Sequence, residues 1–335
     1  MKNLESFPPS LRHLSEPSRA LSSNDNGIGK PVEEEYLDPL PVIDFELLTN
    51  DKTKLEEACK HWGIFRLVNH GIPSTLLTQL HNQAQQLFSL SYHSKQASCN
   101  ATPVRYFSGT PALTPSGTAL KSGSEDINLL EGFNFPLTQL SQFQSQLPVL
   151  ESFRVLMVEY GKHLSGIATT LFEGMVKNLE LKLEPSGSYI AENTGYVRVY
   201  RYPPCSNTDA GLGMEVHTDS SVLSILNQQD QVTGLEILKH HQWLTVKPIA
   251  NTLIINLGDI MQAISDDKYK SVAHKVKLNN HKERISICYF VFPEEDTKIE
   301  SSKYRSFTYN EFRTQVQQDI KTIGHKVGLA RFKRP

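Results

Sequence analysis

Two segments of the chain place metal-binding side chains at strand spacing. The first is Glu215-Val216-His217-Thr218-Asp219-Ser220. Along a strand, residues i and i+2 point to one face, so His217 and Asp219 can reach one ion together. The second is Tyr269-Lys270-Ser271-Val272-Ala273-His274-Lys275-Val276, an alternating stretch in which His274 is the candidate third donor. Two imidazoles and one carboxylate on one side of a metal leave three positions open. That is the ligand set of non-haem Fe(II) sites, which must bind a cosubstrate and O₂ together. Ten residues after His274 comes Arg284-Ile285-Ser286, another i, i+2 pair. A guanidinium fork beside a hydroxyl suits the far end of a dicarboxylate. 2-Oxoglutarate chelates iron through its keto-acid end and needs such a partner at the other. An H-x-D pair alone is a weak signal, and a lone strand arginine usually faces solvent. The combination carries the reading.

The elements that must position these residues lie between Gly195 and Pro293. There the chain runs in short β-branched or alternating segments broken by Gly, Pro, Asn and Asp: Gly195–Tyr200, Ser221–Leu226, Leu235–Leu238, Leu253–Leu257 and Arg284–Phe292. Strands this short at this spacing predict a jelly roll or closed β-sandwich. Upstream, Leu40–Phe45 and Ile64–Val68 read as strands, and Lys54–Trp62 as a helix ended by Gly63. Helices are predicted from Ser74 to about Leu90 and from Leu147 to Leu181, the latter with Leu156, Tyr160, Leu164, Ile167 and Leu171 as one apolar stripe. A final helix spans about Tyr309 to Ile323. Residues 98–125 read as a long loop of the lid or binding-loop kind. The expected division is a disordered arm over 1–37, an α-rich region packing on the core over 38–190, the iron and 2-oxoglutarate core over 191–295, and a C-terminal helix and tail over 296–335.

The 335 residues are 39% hydrophobic and 21% charged, an ordinary soluble composition. A formal net charge of −2 gives no field for nucleic acid or an anionic membrane. No stretch reaches the length of a membrane span, and the N-terminus lacks an apolar leader. The expectation is a monomer in the cytoplasm, with nuclear access open, acting on a small molecule. Cys59, Cys99, Cys205 and Cys288 lack CxxC spacing, so buried reduced thiols are expected rather than disulfides or structural zinc. Arg331, Lys333 and Arg334 read as a solvated basic tail.

Further segments widen the pattern. They are Leu40-Pro41-Val42-Ile43-Asp44-Phe45, Trp62-Gly63-Ile64-Phe65-Arg66-Leu67-Val68-Asn69-His70-Gly71-Ile72, Tyr202-Pro203-Pro204-Cys205, and Asn256-Leu257-Gly258-Asp259 ahead of Tyr269–His274. With them the sequence resembles the plant-type 2-oxoglutarate- and Fe(II)-dependent dioxygenases, among them gibberellin oxidases and flavonoid oxygenases, over residues 40 to 325. The resemblance implies a mainly β double-stranded β-helix flanked by helices. It implies that His217, Asp219 and His274 bind Fe(II), that Arg284 and Ser286 hold the distal carboxylate of 2-oxoglutarate, and that Tyr202 adds a hydroxyl bond to it. O₂ is consumed, ascorbate serves as reductant, and succinate and CO₂ leave as a hormone or specialised metabolite is hydroxylated or desaturated. One position departs: Tyr200 stands where many members have Asn, and its ring could reshape the pocket. Two rival readings share the fold. One is an ascorbate-using oxidase of the aminocyclopropane-carboxylate oxidase type; the other is a catalytically silent small-molecule-binding module.

Other residues read more plainly. His70 is a structural turn histidine, His240-His241 a solvated hairpin tip, Asp259 a turn residue, and Trp243 sheet packing. The substrate wall is expected at Tyr106, Phe107, Phe133 and Phe290, with Phe135 and Phe292 as core and the helix around Phe312 closing over them. Ligand pockets are mainly apolar with few polar groups, which favours such aromatics.

Overall fold

The computed structural model describes residues 4–15, 38–48, 52–100, 102–110, 112, 120, 128–181, 189–191, 195–205, 211–228 and 232–335. In chain order the elements are β1 (Val42–Asp44), α1 (Lys52–Glu57), β2 (Ile64–Val68), α2 (Ser74–Ser89), α3 (Tyr92–Ala97), β3 (Arg105–Ser108) and β4 (Glu131–Pro136). Then come α4 (Pro148–Asn178), β5 (Tyr196–Tyr202), β6 (Met214–His217), β7 (Leu223–Gln228), β8 (Leu235–Lys239) and β9 (Gln242–Thr245). The chain finishes with β10 (Leu253–Leu257), α5 (Asp259–Ile264), β11 (His274–Val276), β12 (Arg284–Val291) and α6 (Tyr309–Ile323).

Two sheets face one another. The larger has the order β1-β2-β10-β7-β12-β5-β4-β3, the smaller β6-β11-β8-β9. This is the jelly-roll core with flanking helices. The strand period of two splits the large sheet into two surfaces. Val197, Val199, Ile225, Ile285, Ile287 and Tyr289 point to one side and join the main hydrophobic core with α2 and α4. Tyr196, Arg198, Tyr200, Tyr202, Arg284, Ser286, Cys288 and Phe290 point to the other, into a cavity between the sheets.

Local chemistry sets the helix ends. α2 follows Pro73 and buries Leu76, Leu77, Leu80, Ala84, Leu87 and Phe88, one stripe at helical period. α4 begins with Pro148 at its first position, where a missing N–H costs nothing. α6 starts in a capping box between Thr308 and Glu311 and stops at Gly324 with φ 84. After α1 a π turn over Ala58–Trp62 ends at Gly63, φ 67, where a Cβ would run into the Lys270 carbonyl.

Two expectations need correction. Residues 4–15 are not a disordered arm: they form two 3₁₀ segments, Leu4–Ser6 and Pro9–Ser15, that bury Phe7, Leu11 and Leu14. Their anchor is a buried charge cluster. The Glu131 carboxylate accepts from Lys95 Nζ at 2.5 Å, Arg201 Nε at 2.6 Å and the Tyr106 hydroxyl at 2.5 Å. Lys95 and Arg201 also donate to the Ser6 carbonyl, at 2.5 and 3.1 Å, and Phe7 lies 3.7 Å under the Arg201 guanidinium. The remainder of the arm lies outside the described residues. Within 98–125, expected as a loop, residues 105–108 form β3 against β4. At the C-terminus Arg331, Lys333 and Arg334 are exposed, as expected, while Phe332 between them is buried, Arg334 Nε donates to the Tyr304 carbonyl at 2.8 Å and Arg331 pairs with Asp319 at 3.0 Å.

Phe133 and Tyr106 also move. On β4, Glu131, Phe133 and Phe135 face the helices, while Asn134 and Pro136 line the cavity. Phe133 is fully buried against Phe88 (ring centroids 5.4 Å) and Tyr106 (5.2 Å). Both residues are core, not pocket. Phe107 is on the cavity side but buried beneath Tyr200. Phe312 is core as well, packed on Phe307 and Phe332. Phe290 does line the cavity, and Phe292, buried in the main core as expected, borders it as well. Phe133→Ala is therefore expected to lower folding stability by about 3–5 kcal/mol, as large aromatic truncations do. A denaturant midpoint indistinguishable from wild type would contradict this.

Candidate active site

The site is built at the end of β6, the edge strand of the small sheet. His217 closes β6 and is the cross-strand partner of His274, the first residue of β11. That register puts the two imidazoles 4.2 Å apart, centroid to centroid. Asp219 was expected on the same strand as His217. It lies just past the strand end, in the turn toward β7. The turn is held by two bonds to the backbone: the Asp259 amide donates to the Asp219 carbonyl at 2.8 Å, and Lys326 Nζ to the Thr218 carbonyl at 2.8 Å. Asp259 is thus more than a turn residue. It opens α5 and pairs with Lys326 at 2.7 Å.

The donor atoms of His217, Asp219 and His274 all lie within 4.8 Å of one another. Asp219 Oδ1 is 3.8 Å from His217 Nε2 and 3.7 Å from His274 Nε2. The far side of each donor is occupied. His217 Nδ1 bonds the Glu215 carbonyl at 2.7 Å, and His274 Nδ1 the Val272 carbonyl at 3.0 Å. A carbonyl only accepts, so each Nδ1 carries the hydrogen and each Nε2 keeps a lone pair. Asp219 Oδ2 accepts from Ser224 Oγ at 2.6 Å and Asn256 Nδ2 at 2.7 Å. Burial and the neighbouring His274 hold the His217 imidazole below its usual range, so it stays neutral. Burial opposes ionisation of Asp219, but His274, His217 and the two hydrogen bonds outweigh it and keep the carboxyl below its usual range. Two imidazoles and one carboxylate, oriented from behind and open in front, fit Fe(II).

Behind this group, Arg284 is 2% exposed. One NH₂ donates to Gln228 Oε1 at 2.9 Å, while Nε and the other terminal nitrogen have no hydrogen-bond partner among the described residues. Tyr202 is its cross-strand neighbour, with the guanidinium 5.2 Å from the ring centroid and Ser286 on the same face. Burial pulls the Arg284 pKa down. A guanidinium still remains charged in proteins, and a buried one with two idle donors is costly without an anion. A carboxylate fits that cradle.

The cavity holding both groups has a volume of about 1300 Å³. Its apolar walls include Leu226, Ile254, Phe290, Phe292, Val316 and Ile320, so α6 forms one side. Gly109, Thr110, Ala112 and Leu120 border it from the expected binding loop.

Comparison with known proteins decides the family. Residues 193–293 match the 2OG-Fe(II) oxygenase superfamily, and 40–138 match the N-terminal region described as non-haem dioxygenase in morphine synthesis. Gibberellin 2-beta-dioxygenase 8 of Arabidopsis thaliana is 36% identical over 309 residues, 88% of this chain and 86% of that protein. The chain belongs to the 2-oxoglutarate- and Fe(II)-dependent dioxygenases. It is similar also to gibberellin 2-beta-dioxygenase 6 of Oryza sativa subsp. japonica, at 33% identity over 88% of this chain and 84% of that one. Among solved structures, JOX2 in complex with 2OG, Fe, and JA superposes with a TM-score of 0.75 at 28% identity, covering 97% of each chain. As a dioxygenase of this family the protein is an oxidoreductase, with Fe(II) as cofactor and 2-oxoglutarate as cosubstrate.

Sequence reading missed a second guanidinium. Arg198 lies on the cavity face of β5, donating to Asn134 Oδ1 at 3.2 Å and lying over the rings of Tyr196 (4.7 Å) and Phe290 (5.7 Å). Its signal was available: Tyr196, Arg198, Tyr200 and Tyr202 share one parity. Arg313 of α6 also borders the cavity, paired with Glu295 at 2.8 Å. The plainer readings fare well. His70 is buried and accepts the Ile72 amide at 3.1 Å, and the His240-His241 tip joins β8 to β9 with φ of 48 and 63. All four cysteines are buried and free. No helix of the described residues is long and apolar enough to cross a membrane.

Proposed function

We propose that the enzyme oxidises a C–H bond of an apolar carboxylic acid of the gibberellin kind. His217, Asp219 and His274 would hold Fe(II), and Arg284, Ser286 and Tyr202 the distal carboxylate of 2-oxoglutarate. Arg198 would take the carboxylate of the organic substrate. The observation that carries this reading is the presence of two guanidiniums on one cavity wall, Arg284 buried and Arg198 half-buried, on neighbouring strands at positions offset by four residues, about 13 Å of strand. One sits beside the metal-type group. The other sits among aromatic rings on the open side. The relatives named for gibberellins point the same way, since gibberellins are apolar polycyclic acids.

Bound iron with 2-oxoglutarate and O₂ supplies the oxidative decarboxylation and the oxidising power for the C–H bond. The chain's own residues do the rest. The carbonyls behind His217 and His274 stop the rings rotating and fix their tautomers. Ser224 and Asn256 leave Asp219 one free oxygen to donate. Arg284 pairs its two idle donors with a carboxylate. Leu226, Ile254 and Phe290 keep water from the reacting bond. Residues 191–295 thus carry the chemistry, while 38–190 and 296–335 build the wall through β3, β4 and α6. We assign ascorbate as the external reductant that keeps the iron ferrous. We assign the enzyme as a cytoplasmic monomer; its four free buried thiols suit a reducing compartment.

The test is turnover on a panel of gibberellins, JA and an auxin with Fe(II), ascorbate and 2-oxoglutarate. Succinate release stimulated by a gibberellin, with one oxygen gained or two hydrogens lost, supports the reading. Stimulation by none of these acids would overturn it. Arg198→Met should raise KM for the acid substrate about tenfold or more, the worth of a lost charged hydrogen bond. An unchanged KM would remove Arg198 from the substrate site.

A further inference from the structure

Tyr200 stands between the two guanidiniums. Along β5 the cavity face reads Tyr196, Arg198, Tyr200, Tyr202, so Tyr200 separates Arg198 from the Tyr202–Arg284 pair. It is 4% exposed. Its ring stacks on Tyr202 (centroids 6.1 Å, 30°) and meets Phe107 edge-on (5.9 Å, 78°). Across the sheet its neighbours are Ser286 on one side and Gly132 on the other. A Cβ at Gly132 would crowd the Phe107 ring, so the glycine lets this aromatic cluster close. Tyr200 and Arg198 sit two residues apart on one face of β5, so the phenol lies beside the guanidinium. Burial keeps that phenol neutral, leaving its oxygen to accept from the cation.

Two cations on one wall pose a sorting problem. 2-Oxoglutarate carries two carboxylates, and either guanidinium could bind one. We propose that Tyr200 assigns each carboxylate to its own arginine: its ring walls off the Arg284 cradle, and its hydroxyl aims Arg198 at the organic acid. Tyr200 is thus a positioning and specificity residue. The inference rests on the reading that Arg198 receives the substrate's carboxylate.

The test uses the full-length enzyme, the best acid substrate of the panel and its methyl ester. Wild type should prefer acid to ester in KM. Tyr200→Phe keeps the ring and loses the hydroxyl that orients Arg198, so the acid-to-ester preference should fall about tenfold. A merely structural defect would weaken both probes alike and leave that ratio standing. Tyr200→Ala removes the ring, and high 2-oxoglutarate should then inhibit competitively with the acid. An undiminished preference in Tyr200→Phe overturns the proposal whatever Tyr200→Ala does. Absence of 2-oxoglutarate inhibition in a folded Tyr200→Ala enzyme overturns the partition. If wild type itself shows no preference for acid over ester, the carboxylate reading fails, and this proposal with it.

Discussion

Asp219→Ala, like His217→Ala or His274→Ala, is expected to leave a folded protein with less than about 1% of wild-type turnover. Outer partners of metal ligands typically cost ~10–100-fold in metal affinity or activity when removed. A ligand itself costs more, because only two donors remain. Asp219 makes the point sharply. Its Oδ1 lies between the two Nε2 atoms, at 3.8 and 3.7 Å, and its Oδ2 is pinned by Ser224 and Asn256. Truncation also strands those two buried partners, at a cost of about 1–3 kcal/mol. The histidine variants leave no such buried pair behind. Iron content and turnover measured together on all three variants, with a thermal unfolding scan, separate the effects. A folded variant that kept both iron and wild-type turnover would refute the triad.

Arg284 should show the second large effect, and in an unusual form. Arg284→Lys loses the planar fork, and an ammonium cannot fill both donor positions. The apparent requirement for 2-oxoglutarate should rise about tenfold to a hundredfold, the equivalent of 1.5–3 kcal/mol for a charged hydrogen bond. Arg284→Met goes further and reverses sign between states. Without cosubstrate, Arg284 is a buried cation with two donors that find no partner among the described residues. Replacing it with an apolar side chain should leave the cosubstrate-free protein as stable as wild type or more so. Saturating 2-oxoglutarate should then stabilise wild type, by about 2.7 kcal/mol at a hundredfold excess over Kd, and leave the methionine variant unmoved. Equal 2-oxoglutarate stabilisation of the two proteins would remove Arg284 from the site.

The clustering of His217, Asp219 and His274 and the shared face of Arg284 and Ser286 were legible from short spacings, although Asp219 meets His217 across a strand end rather than along the strand. Which face meets the cavity is not local. Phe133 was read into the pocket because it sits beside glycine in a polar stretch. Its true side follows from pairing with Val199 on β5, about 66 residues away. The same pairing brings in Arg198, and its parity with Tyr202 could have been used. The N-terminal segment shows a related limit. Phe7, Leu11 and Leu14 recur at helical spacing, but the surrounding polar residues dilute the signal. The charges that anchor it, Lys95, Glu131 and Arg201, come from three separate elements. Helices were placed within a few residues because caps and stripes are written in adjacent sequence, as in Thr308 and Glu311 for α6.

The rival readings separate on the cosubstrate. An ascorbate-using oxidase would turn over without 2-oxoglutarate, and a silent binding module would not turn over at all. The direct measurement is release of labelled CO₂ from carboxyl-labelled 2-oxoglutarate by the purified chain, with and without Fe(II), and with and without a gibberellin. Release that requires Fe(II), rises with the gibberellin and matches oxidised product one for one is the expected result. Oxidation of the organic substrate that proceeds undiminished without 2-oxoglutarate, or no iron-dependent release under any condition, would contradict it.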